Sequence, residues 1–274
     1  MSILNVYKNI NISNDLPFTL IAGPCQIEDR DHAHFLAAAI KEICKELEIN
    51  LIFKASYDKA NRSSISGRRG IGLEAGLEIL AEIRREHDLP VITDIHESWQ
   101  ADAVKDFVDV IQIPAFLCRQ TDLLLAAGRT GKPINVKKGQ FLAPQDMKNV
   151  AEKIASTGNT QIMLCERGTT FGYNNLVVDF RGLRIMRATG YPVVFDATHS
   201  VQQPGGMGTS SGGDRTMVWP LARAACAIGI AALFMEIHED PDRAPSDGPN
   251  MIKLSDAKTI LSDLKILDQY AKDR

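Results

Sequence analysis

A short apolar run, a polar turn and an amphipathic helix follow one another in this order along almost the whole chain. The apolar runs are rich in β-branched and aromatic residues, which is typical of buried strands. Eight such runs occur, at 18–22, 51–55, 91–95, 108–113, 134–136, 162–165, 193–197 and 232–237. Helical patterns fall between or after them, for example at 33–47, 72–86, 98–106, 144–156, 215–228 and 255–271.

Eight alternating strand–helix units in 274 residues predict an α/β fold, the (β/α)8 or TIM barrel, as a single domain over residues 1–274. A doubly wound open sheet is the alternative, but it usually has fewer strands, and no GxGxxG turn follows the first strand. No linker rich in Pro, Gly and Ser divides the chain. We predict that the residues before Pro17 form a short N-terminal cap on the barrel floor.

Composition limits the cellular setting and the partners. A formal net charge of -3 argues against general nucleic-acid binding, so an anion site needs a local concentration of positive charge. The five cysteines have no paired short spacing and suit a reducing compartment. The longest apolar run, 224–235, is shorter than the ~20 residues that span a bilayer, and the N-terminus lacks a signal-peptide pattern. We therefore expect a cytoplasmic protein with neither a nucleic acid nor a membrane as partner.

Polar groups follow every predicted strand, at the end where a barrel of this kind carries its active site. In strand order they are Cys25; Lys54 and the residues after it; Asp94 and His96; Gln112; Lys137 and Lys138; Glu166 and Arg167; Asp196 and His199; and Glu236 and His238. Singly, most have an ordinary explanation: Cys25 as a small buried residue, and Asp94 and Asp196 as helix caps. His238 could equally be a core histidine, and we predict a solvated or dipole-complementing role for His32 on the first helix. The joint pattern favours a functional site.

The segment FKASYDKANRSS, residues 53–64, runs from the second strand into a group of cations and small polar side chains. Lysines supply point charges, and Arg62 supplies a planar fork that matches phosphate bidentately. A solvated basic loop is the alternative, but the cations follow a strand end and are interleaved with small polar residues. We therefore predict a phosphate site made by Lys54, Lys59, Asn61, Arg62, Ser63 and Ser64.

Two groupings are expected when the barrel closes. The first contains cations from three of the units and could converge on one small polyanion: Lys54, Lys59, Lys137 and Arg167. The second combines a thiolate, an imidazole and a carboxylate from strands one, seven and eight, with a further carboxylate from the loop after strand eight. These side chains could bind one divalent metal ion, and they are Cys25, His199, Glu236 and Asp247.

Several segments resemble a known family, in the same order and over nearly the whole chain. They read IAGPC, FKASYDKANRSS, TDIHES, IQIPAFLCRQTDLL, NVKKGQF, ERGTTFGYNNLVVD, FDATHSVQ and SDGP. The chain resembles the 3-deoxy-D-manno-octulosonate 8-phosphate synthases, and among them the metal-dependent branch, which has cysteine rather than asparagine after the first strand. The resemblance implies a (β/α)8 barrel, usually a homotetramer, that condenses phosphoenolpyruvate with D-arabinose 5-phosphate and water. Inorganic phosphate is released, and the product leads to the lipopolysaccharide sugar of Gram-negative bacteria.

The resemblance also implies roles at individual positions. The phosphoenolpyruvate site would consist of Lys54, Lys59, Gln112, Lys137 and Arg167. The arabinose 5-phosphate site would consist of Asn61, Arg62 and Ser63. One divalent ion, which could be zinc, iron(II), manganese or cobalt, would be bound by Cys25, His199, Glu236 and Asp247. The residues expected to act in catalysis are Cys25, Lys59, Asn61, His199 and Asp247.

Two other enzymes and one binding protein remain alternatives. The 3-deoxy-D-arabino-heptulosonate 7-phosphate synthases use erythrose 4-phosphate and carry KPRTS where this chain reads KANRSS; the amide of Asn61 can bind sugar hydroxyls, which favours the longer sugar. A class II metal aldolase would not need the second cluster of cations, and a non-catalytic phosphosugar-binding barrel would not need the metal ligands.

We also predict that loop 202–215, with five glycines, is a lid, although a merely mobile loop is equally compatible.

Overall fold

Eight parallel strands form a closed barrel in the computed structural model of this protein, which describes residues 3–206, 208 and 211–273. The strands of the described chain are β1 (Leu4–Tyr7), β2 (Ile10–Ile12), β3 (Thr19–Gly23), β4 (Leu51–Lys54), β5 (Val91–Asp94), β6 (Val110–Ile113), β7 (Ile134–Lys137), β8 (Ile162–Glu166), β9 (Thr169–Thr170), β10 (Leu176–Val177), β11 (Val193–Asp196), β12 (Gln202–Gln203), β13 (Gly212–Gly213), β14 (Ala232–His238) and β15 (Ile252–Lys253). Around the barrel the order is β3, β4, β5, β6, β7, β8, β11 and β14, and β14 pairs with both β11 and β3. The predicted (β/α)8 fold is confirmed.

Helices connect the barrel strands and cover the outside of the barrel. Those of the described chain are α1 (Arg30–Glu46), α2 (Leu73–Glu86), α3 (Gln100–Val104), α4 (Thr121–Arg129), α5 (Met147–Ala155), α6 (Arg181–Arg187), α7 (Val218–Ile228) and α8 (Leu254–Lys272). The predicted helical ranges 144–156 and 215–228 each begin as a 3-10 turn, at Pro144–Asp146 and Arg215–Met217. The range 98–106 contains only α3, and at its start the Gln100 side chain accepts the N–H groups of His96 and Glu97 and so holds the preceding residues in a turn.

Side chains of the barrel strands alternate between two apolar layers, as the period of a strand requires. In β4, Leu51 and Phe53 belong to the core shared with the helices, whereas Ile52 belongs to a second cluster inside the barrel. The same alternation in β14 places Leu233 in the outer core and Phe234 in the inner cluster. Inward positions therefore recur at every second residue, and their chemistry decides what the barrel interior holds.

The N-terminal cap is an antiparallel hairpin, β1 and β2, that covers the barrel floor. Its residues Leu4 and Ile12 are buried in the same cluster as the inward residues of the barrel strands. The turn after the hairpin is attached through Asn14, whose side chain donates to the Tyr191 carbonyl oxygen and accepts the Val193 N–H, each at 2.9 Å. Since Val193 begins β11, the hairpin closes the end of the barrel at which the strands start.

The lid predicted at 202–215 is described only in part, because 207, 209 and 210 lie outside the described residues. In its described part β12 pairs with β13 in an antiparallel ladder. Whether this segment closes over the barrel stays a prediction. Throughout the described chain, each helix is too short or too polar to cross a membrane.

Candidate active site at the carboxyl ends of the strands

A cavity of about 790 Å³ opens at the carboxyl ends of the barrel strands. Most of the residues predicted to bind substrate or metal line it: Lys54, Lys59, Asn61, Arg62, Ser63, Ser64, Gln112, Lys137, Arg167, His199 and Asp247. The remaining two, Cys25 and Glu236, are buried directly behind lining residues. The Cys25 Sγ atom lies 3.3 Å from Asp247 Oδ2, and Glu236 Oε1 lies 2.8 Å from Lys54 Nζ. The structure thus brings the whole predicted set to one end of the barrel.

Charged side chains occupy the last inward position of most barrel strands, two residues beyond an inward residue of the preceding layer. The inward pairs are Ile52 and Lys54, Ile92 and Asp94, Val110 and Gln112, Asn135 and Lys137, Val194 and Asp196, and Phe234 and Glu236. The second member of every pair is at most 6% exposed. Burying charge is unfavourable unless the charges are paired, so the contacts among these groups determine how the site is arranged.

Cys25, Glu236 and Asp247 form a cluster in which each residue offers one ligand atom, and these atoms lie within 4.8 Å of one another. The Nε2 atom of His199 lies 3.7 Å from Glu236 Oε1 and 3.8 Å from Asp247 Oδ2. Glu236 Oε2 is buried and has no hydrogen-bond partner in the described part of the chain. A divalent ion would satisfy that oxygen, and a donor set of thiolate, imidazole and carboxylate suits zinc and its first-row neighbours. These residues therefore fit the metal that was expected.

The imidazole of His199 is oriented from its far side by Asp196. His199 Nδ1 lies 2.8 Å from Asp196 Oδ2, and Asp196 Oδ1 accepts the backbone N–H of His199 at 2.9 Å. The contact at Nδ1 has an ion-pair distance but not hydrogen-bond geometry, so the carboxylate orients the ring through its charge and through the backbone contact, and carboxylates are common behind metal-binding histidines. The result is that Nε2 is the ring atom directed toward Glu236 and Asp247.

Burial and neighbouring cations set the charge of the cluster. Burial would raise the pKa of Glu236, but Lys54, His199 and Lys59 outweigh it and lower that pKa to about 2. Burial, together with the Glu236 carboxylate, raises the pKa of the Cys25 thiol well above its ordinary range. At neutral pH Glu236 is ionised and the free thiol is protonated, so binding of an ion would release the thiol proton.

The backbone supports the cluster at two points. Gly23 ends β3 so close to β4 that a Cβ atom there would lie 2.1 Å from the Lys54 carbonyl oxygen, so a larger residue does not fit. Asp247 has φ of 54°, a left-handed conformation that Asp adopts more readily than most residues. Its Oδ1 accepts a hydrogen bond from Gln202 Nε2 at 3.0 Å, which leaves Oδ2 beside Cys25.

Lys54 and Lys59 both lie beside the Glu236 carboxylate, which belongs to the cluster of Cys25, Glu236 and Asp247. Lys54 Nζ donates to Glu236 Oε1 at 2.8 Å and to the Cys25 carbonyl oxygen at 2.9 Å. Lys59 Nζ is 4.0 Å from the same Glu236 oxygen. Burial disfavours the charged form of Lys59, but Cys25, Glu236 and Asp94 outweigh it and raise the pKa of Lys59. Lys59 is therefore cationic, and the two lysines join the predicted substrate site to the predicted metal site.

Lys137 and Arg167 are buried cations held by other side chains. Lys137 Nζ donates to Asp196 and lies 3.2 Å from the centroid of the Phe234 ring, which adds a cation–π interaction. Arg167 donates to Gln202 Oε1 at 2.8 Å. Because both side chains are already oriented, an anion entering the cavity would meet preorganised positive charge.

Arg62 is the cation at the cavity mouth, between the exposed residues Asn61 and Ser63. Its guanidinium makes three hydrogen bonds, to Gln26 Oε1, to Ser246 Oγ at 2.5 Å and to the Arg68 carbonyl oxygen at 2.7 Å. These acceptors come from loops with no periodic pattern, and sequence reasoning did not find Gln26 or Ser246. The guanidinium is thus fixed while remaining in contact with the cavity.

Asp94 and Asp196 are buried at the strand ends, where the sequence indicated polar groups and, for each residue taken singly, allowed helix capping as the reason. Asp94 accepts hydrogen bonds from Ser56 Oγ and, at 2.9 Å, from His96 Nε2. Burial would raise the pKa of Asp94, but His96 and Lys59 outweigh it and lower that pKa below its ordinary range. Asp196 does cap the turn that follows, and it also contacts Lys137 and His199. The signal for both was their inward register, two residues after a buried apolar residue.

The barrel, the polar strand ends and the cluster of ligand-type side chains define a TIM-barrel enzyme with its active site at the usual end. Comparison with protein families agrees, and the chain belongs to the DAHP synthetase I family, whose model matches residues 2–273.

Within that family, curated relatives give a narrower similarity. A protein of Granulibacter bethesdensis named 2-dehydro-3-deoxyphosphooctonate aldolase is 65% identical over 96% of this chain and 94% of its own length. Proteins of the same name from Rickettsia bellii and Agrobacterium fabrum are each 58% identical over 97% of this chain, and over 97% and 94% of their own lengths. That name is a synonym of 3-deoxy-D-manno-octulosonate 8-phosphate synthase, so the resemblance found in the sequence is confirmed.

Proposed function

We propose that this chain condenses phosphoenolpyruvate with D-arabinose 5-phosphate and water to give 3-deoxy-D-manno-octulosonate 8-phosphate and inorganic phosphate. One observation carries the proposal: cations line the cavity, and Lys54 among them contacts a cluster of Cys25, Glu236 and Asp247 at the cavity wall. The names of relatives that cover nearly the whole chain support the same activity.

We assign phosphoenolpyruvate to the buried cations, because its carboxylate and its phosphate both need positive partners. Those cations are Lys54, Lys137 and Arg167, which are buried, and Lys59, whose side chain is 12% exposed. Gln112 would contribute a neutral donor: its Oε1 accepts from Asn135 Nδ2 at 3.1 Å, so the amide N–H2 group is the end available to an anion. Fixed cations would also stabilise the charge that develops on the departing phosphate.

We assign the phosphate of arabinose 5-phosphate to Arg62 and Ser63, with Asn61 on the sugar hydroxyls. Gln26 and Ser246 hold the Arg62 guanidinium, so little side-chain entropy would be lost when it binds phosphate. Anchoring the phosphate at the mouth would direct the aldehyde inward, over the enol carbon, and turn a reaction of two substrates into an oriented one.

We assign one divalent ion to Cys25, His199, Glu236 and Asp247; their donor atoms suit zinc, iron(II), manganese and cobalt. When bound, such an ion polarises a carbonyl oxygen or activates a water molecule. The chain itself would orient the ligands: Asp196 holds the His199 ring, and Lys54 holds one oxygen of Glu236. Lys59 and Asn61, the other residues expected to act in catalysis, would contact the two substrates from the same loop.

The test is phosphate release from phosphoenolpyruvate with arabinose 5-phosphate or erythrose 4-phosphate, each with and without a chelator. We expect release with the five-carbon sugar, loss on chelation and recovery when divalent metal is added. Release that requires erythrose 4-phosphate would identify a heptulosonate synthase instead, as the name of the family model allows. Release that survives verified removal of metal would contradict the ion assignment, and binding of sugar phosphate without any release would indicate a non-catalytic barrel.

We further propose that residues 1–274 act as one catalytic domain, that the protein is a cytoplasmic homotetramer, and that its product serves lipopolysaccharide synthesis. Exposed aromatic side chains support association, since such surfaces are often covered by a partner. They include Phe116, Phe171 and Tyr173, which are 52%, 72% and 98% exposed. Light scattering should give four times the chain mass of 30.1 kDa, and a monomer would contradict the tetramer.

A further inference from the structure

We propose that Glu28, His32 and His238 form a second divalent-cation site, separate from the Cys25 cluster. Each of the three offers one ligand atom, and these atoms lie within 4.8 Å of one another. All three belong to the described chain, and they stand apart from the residues that line the active-site cavity. A tetrahedral zinc ion with ligands at about 2.0–2.2 Å keeps its ligand atoms roughly 3.4 Å apart, so modest side-chain movement would complete the site.

The hydrogen bonds around His238 leave its Nε2 atom as the ligand. The backbone N–H of Asp240 donates to His238 Nδ1 at 2.9 Å, so Nδ1 is an acceptor and the ring proton is on Nε2. Nε2 lies 2.8 Å from Glu28 Oε1. A cation would replace the proton between this nitrogen and this carboxylate, both of which are suitable ligands.

His32 brings the second imidazole from the first turn of α1, and it is not the solvated residue that the sequence predicted. Its ring centroid is 4.8 Å from that of His238. Its Nε2 lies 2.9 Å from Glu239 Oε2, while its Nδ1 is buried and lacks a hydrogen-bond partner in the described part of the chain. His32 therefore has an unused ring nitrogen, and Glu239 supplies a carboxylate that can orient the ring or act as a fourth ligand.

In this cluster the histidine side chains are more buried than the glutamate side chains, which suits a metal site that an ion can enter from solvent. The His238 and His32 side chains are only 5% and 12% exposed, whereas Glu28 and Glu239 are 24% and 40% exposed. The imidazoles are thus shielded, and the carboxylates face the solvent from which an ion would enter. Two imidazoles with carboxylate oxygens suit zinc, nickel or copper(II) rather than magnesium or calcium.

The position of this site gives it a structural role. Glu28 and His32 belong to the loop after β3 and the start of α1, whereas His238 ends β14. The same two segments carry Cys25 and Glu236. An ion at the second site would fasten the segments together from outside the cavity.

The experiment measures zinc binding by calorimetry on metal-free protein in which Cys25→Ala disables the first cluster. We expect one zinc ion per chain in this background. Adding Glu28→Gln, which keeps the size of the side chain, or His32→Ala should weaken that binding by more than about 100-fold, because even residues behind a metal ligand contribute 10–100-fold. His34→Ala is the matched control: His34 is also on α1 but pairs with His87, and its loss should leave zinc binding unchanged.

Cobalt spectra provide an independent test. In the Cys25→Ala background we expect ligand-field bands without a thiolate charge-transfer band, and these bands should disappear with Glu28→Gln or His32→Ala. Circular dichroism would verify that every variant is folded. Failure of the Cys25→Ala protein to bind zinc would overturn the proposal, as would zinc binding that is equally strong with and without Glu28→Gln and His32→Ala, because the ion would then be held by the remaining ligands of the first cluster.

Discussion

The floor and the mouth of the barrel are built from the same strands but have opposite chemistry. At the floor, inward residues such as Ile52 and Val110 form one apolar cluster with Ile12 of the N-terminal hairpin. At the mouth, the next inward residues are charged and paired, for example Lys54 with Glu236. Register, not location in the chain, separates the two ends: a step of two residues changes a packing position into a chemical one. We therefore expect substitutions at the floor to leave activity unchanged and substitutions at the mouth to reduce it.

Cys25→Ala should have the largest effect, and it tests the mouth. We expect turnover to fall by about a thousandfold or more, together with metal content, since a bound ion contributes several kcal/mol to catalysis. Enzyme assays and metal analysis of the same samples would measure both. Cys44→Ala, which removes a buried sulfur from α1, is the control and should keep both activity and metal. A metal-free Cys25→Ala protein with normal turnover would refute the role of Cys25.

Lys54→Met should lower the free energy of unfolding by about 3–5 kcal/mol, because it leaves Glu236 buried without its partner. Lys54 and Glu236 are 1% and 0% exposed. The control is Lys258→Met, which breaks an ion pair with Glu46 whose side chains are 57% and 47% exposed. That pair should contribute at most about 1 kcal/mol. Urea unfolding would measure the free energy of unfolding of both variants. Equal losses would contradict the expectation that breaking the buried ion pair costs more than breaking the exposed one.

Ile12→Ala tests the floor and should cost about 2–5 kcal/mol of stability, because Ile12 is fully buried against the inner cluster. The Michaelis constants and turnover of the folded variant should match those of the original protein at a temperature where both are native. Thermal unfolding and steady-state kinetics would measure the two properties. A changed sugar Michaelis constant would show that the floor also shapes the mouth.

Arg62→Ala should reduce kcat/KM for the sugar phosphate by about 10–100-fold, the value of one or two charge-assisted hydrogen bonds. The Michaelis constant for phosphoenolpyruvate should change far less. Arg69→Ala is the matched control, because Arg69 comes from the same loop but pairs with Asp58. If both variants have the same kcat/KM for the sugar phosphate, Arg62 does not bind the phosphate of the sugar.

Asp88→Asn should have the smallest effect, and it tests how the hairpin is attached. Lys8 and Tyr7 donate hydrogen bonds to Asp88 and lower the pKa of that carboxyl below its ordinary 3.8. A lowered pKa means that the contact contributes stability above about pH 3.8, and that this contribution is lost as the pH falls through the lowered pKa. The stability difference between the original protein and Asp88→Asn should therefore be present at pH 6 and shrink near pH 3. A difference that grows at low pH would exclude the ion pair as its origin.

The sequence predicted the barrel and the polar groups at the strand ends because both depend on local periodicity. Strand length, alternation and helical spacing are sufficient to place Lys54, Asp94 and Asp196 at strand ends. The partners of those residues could not be predicted in the same way. Lys54 and Glu236 are 182 positions apart, and several cations and carboxylates at the strand ends could pair with one another. Gln26 and Ser246, which hold Arg62, come from irregular loops whose contacts follow from tertiary packing alone.

The pairing of β14 with β3 joins the two ends of a long loop of chain, and the Cys25 cluster lies across that seam. Cys25 and Asp247 are separated by 222 positions, so bringing them together requires a highly non-local step of folding. Any ligand that needs both residues binds only a chain whose ends have met, and its binding energy favours that closed form over partly folded ones. A ligand bound at the cluster would therefore stabilise completely folded barrels and leave incompletely folded ones without that stabilisation.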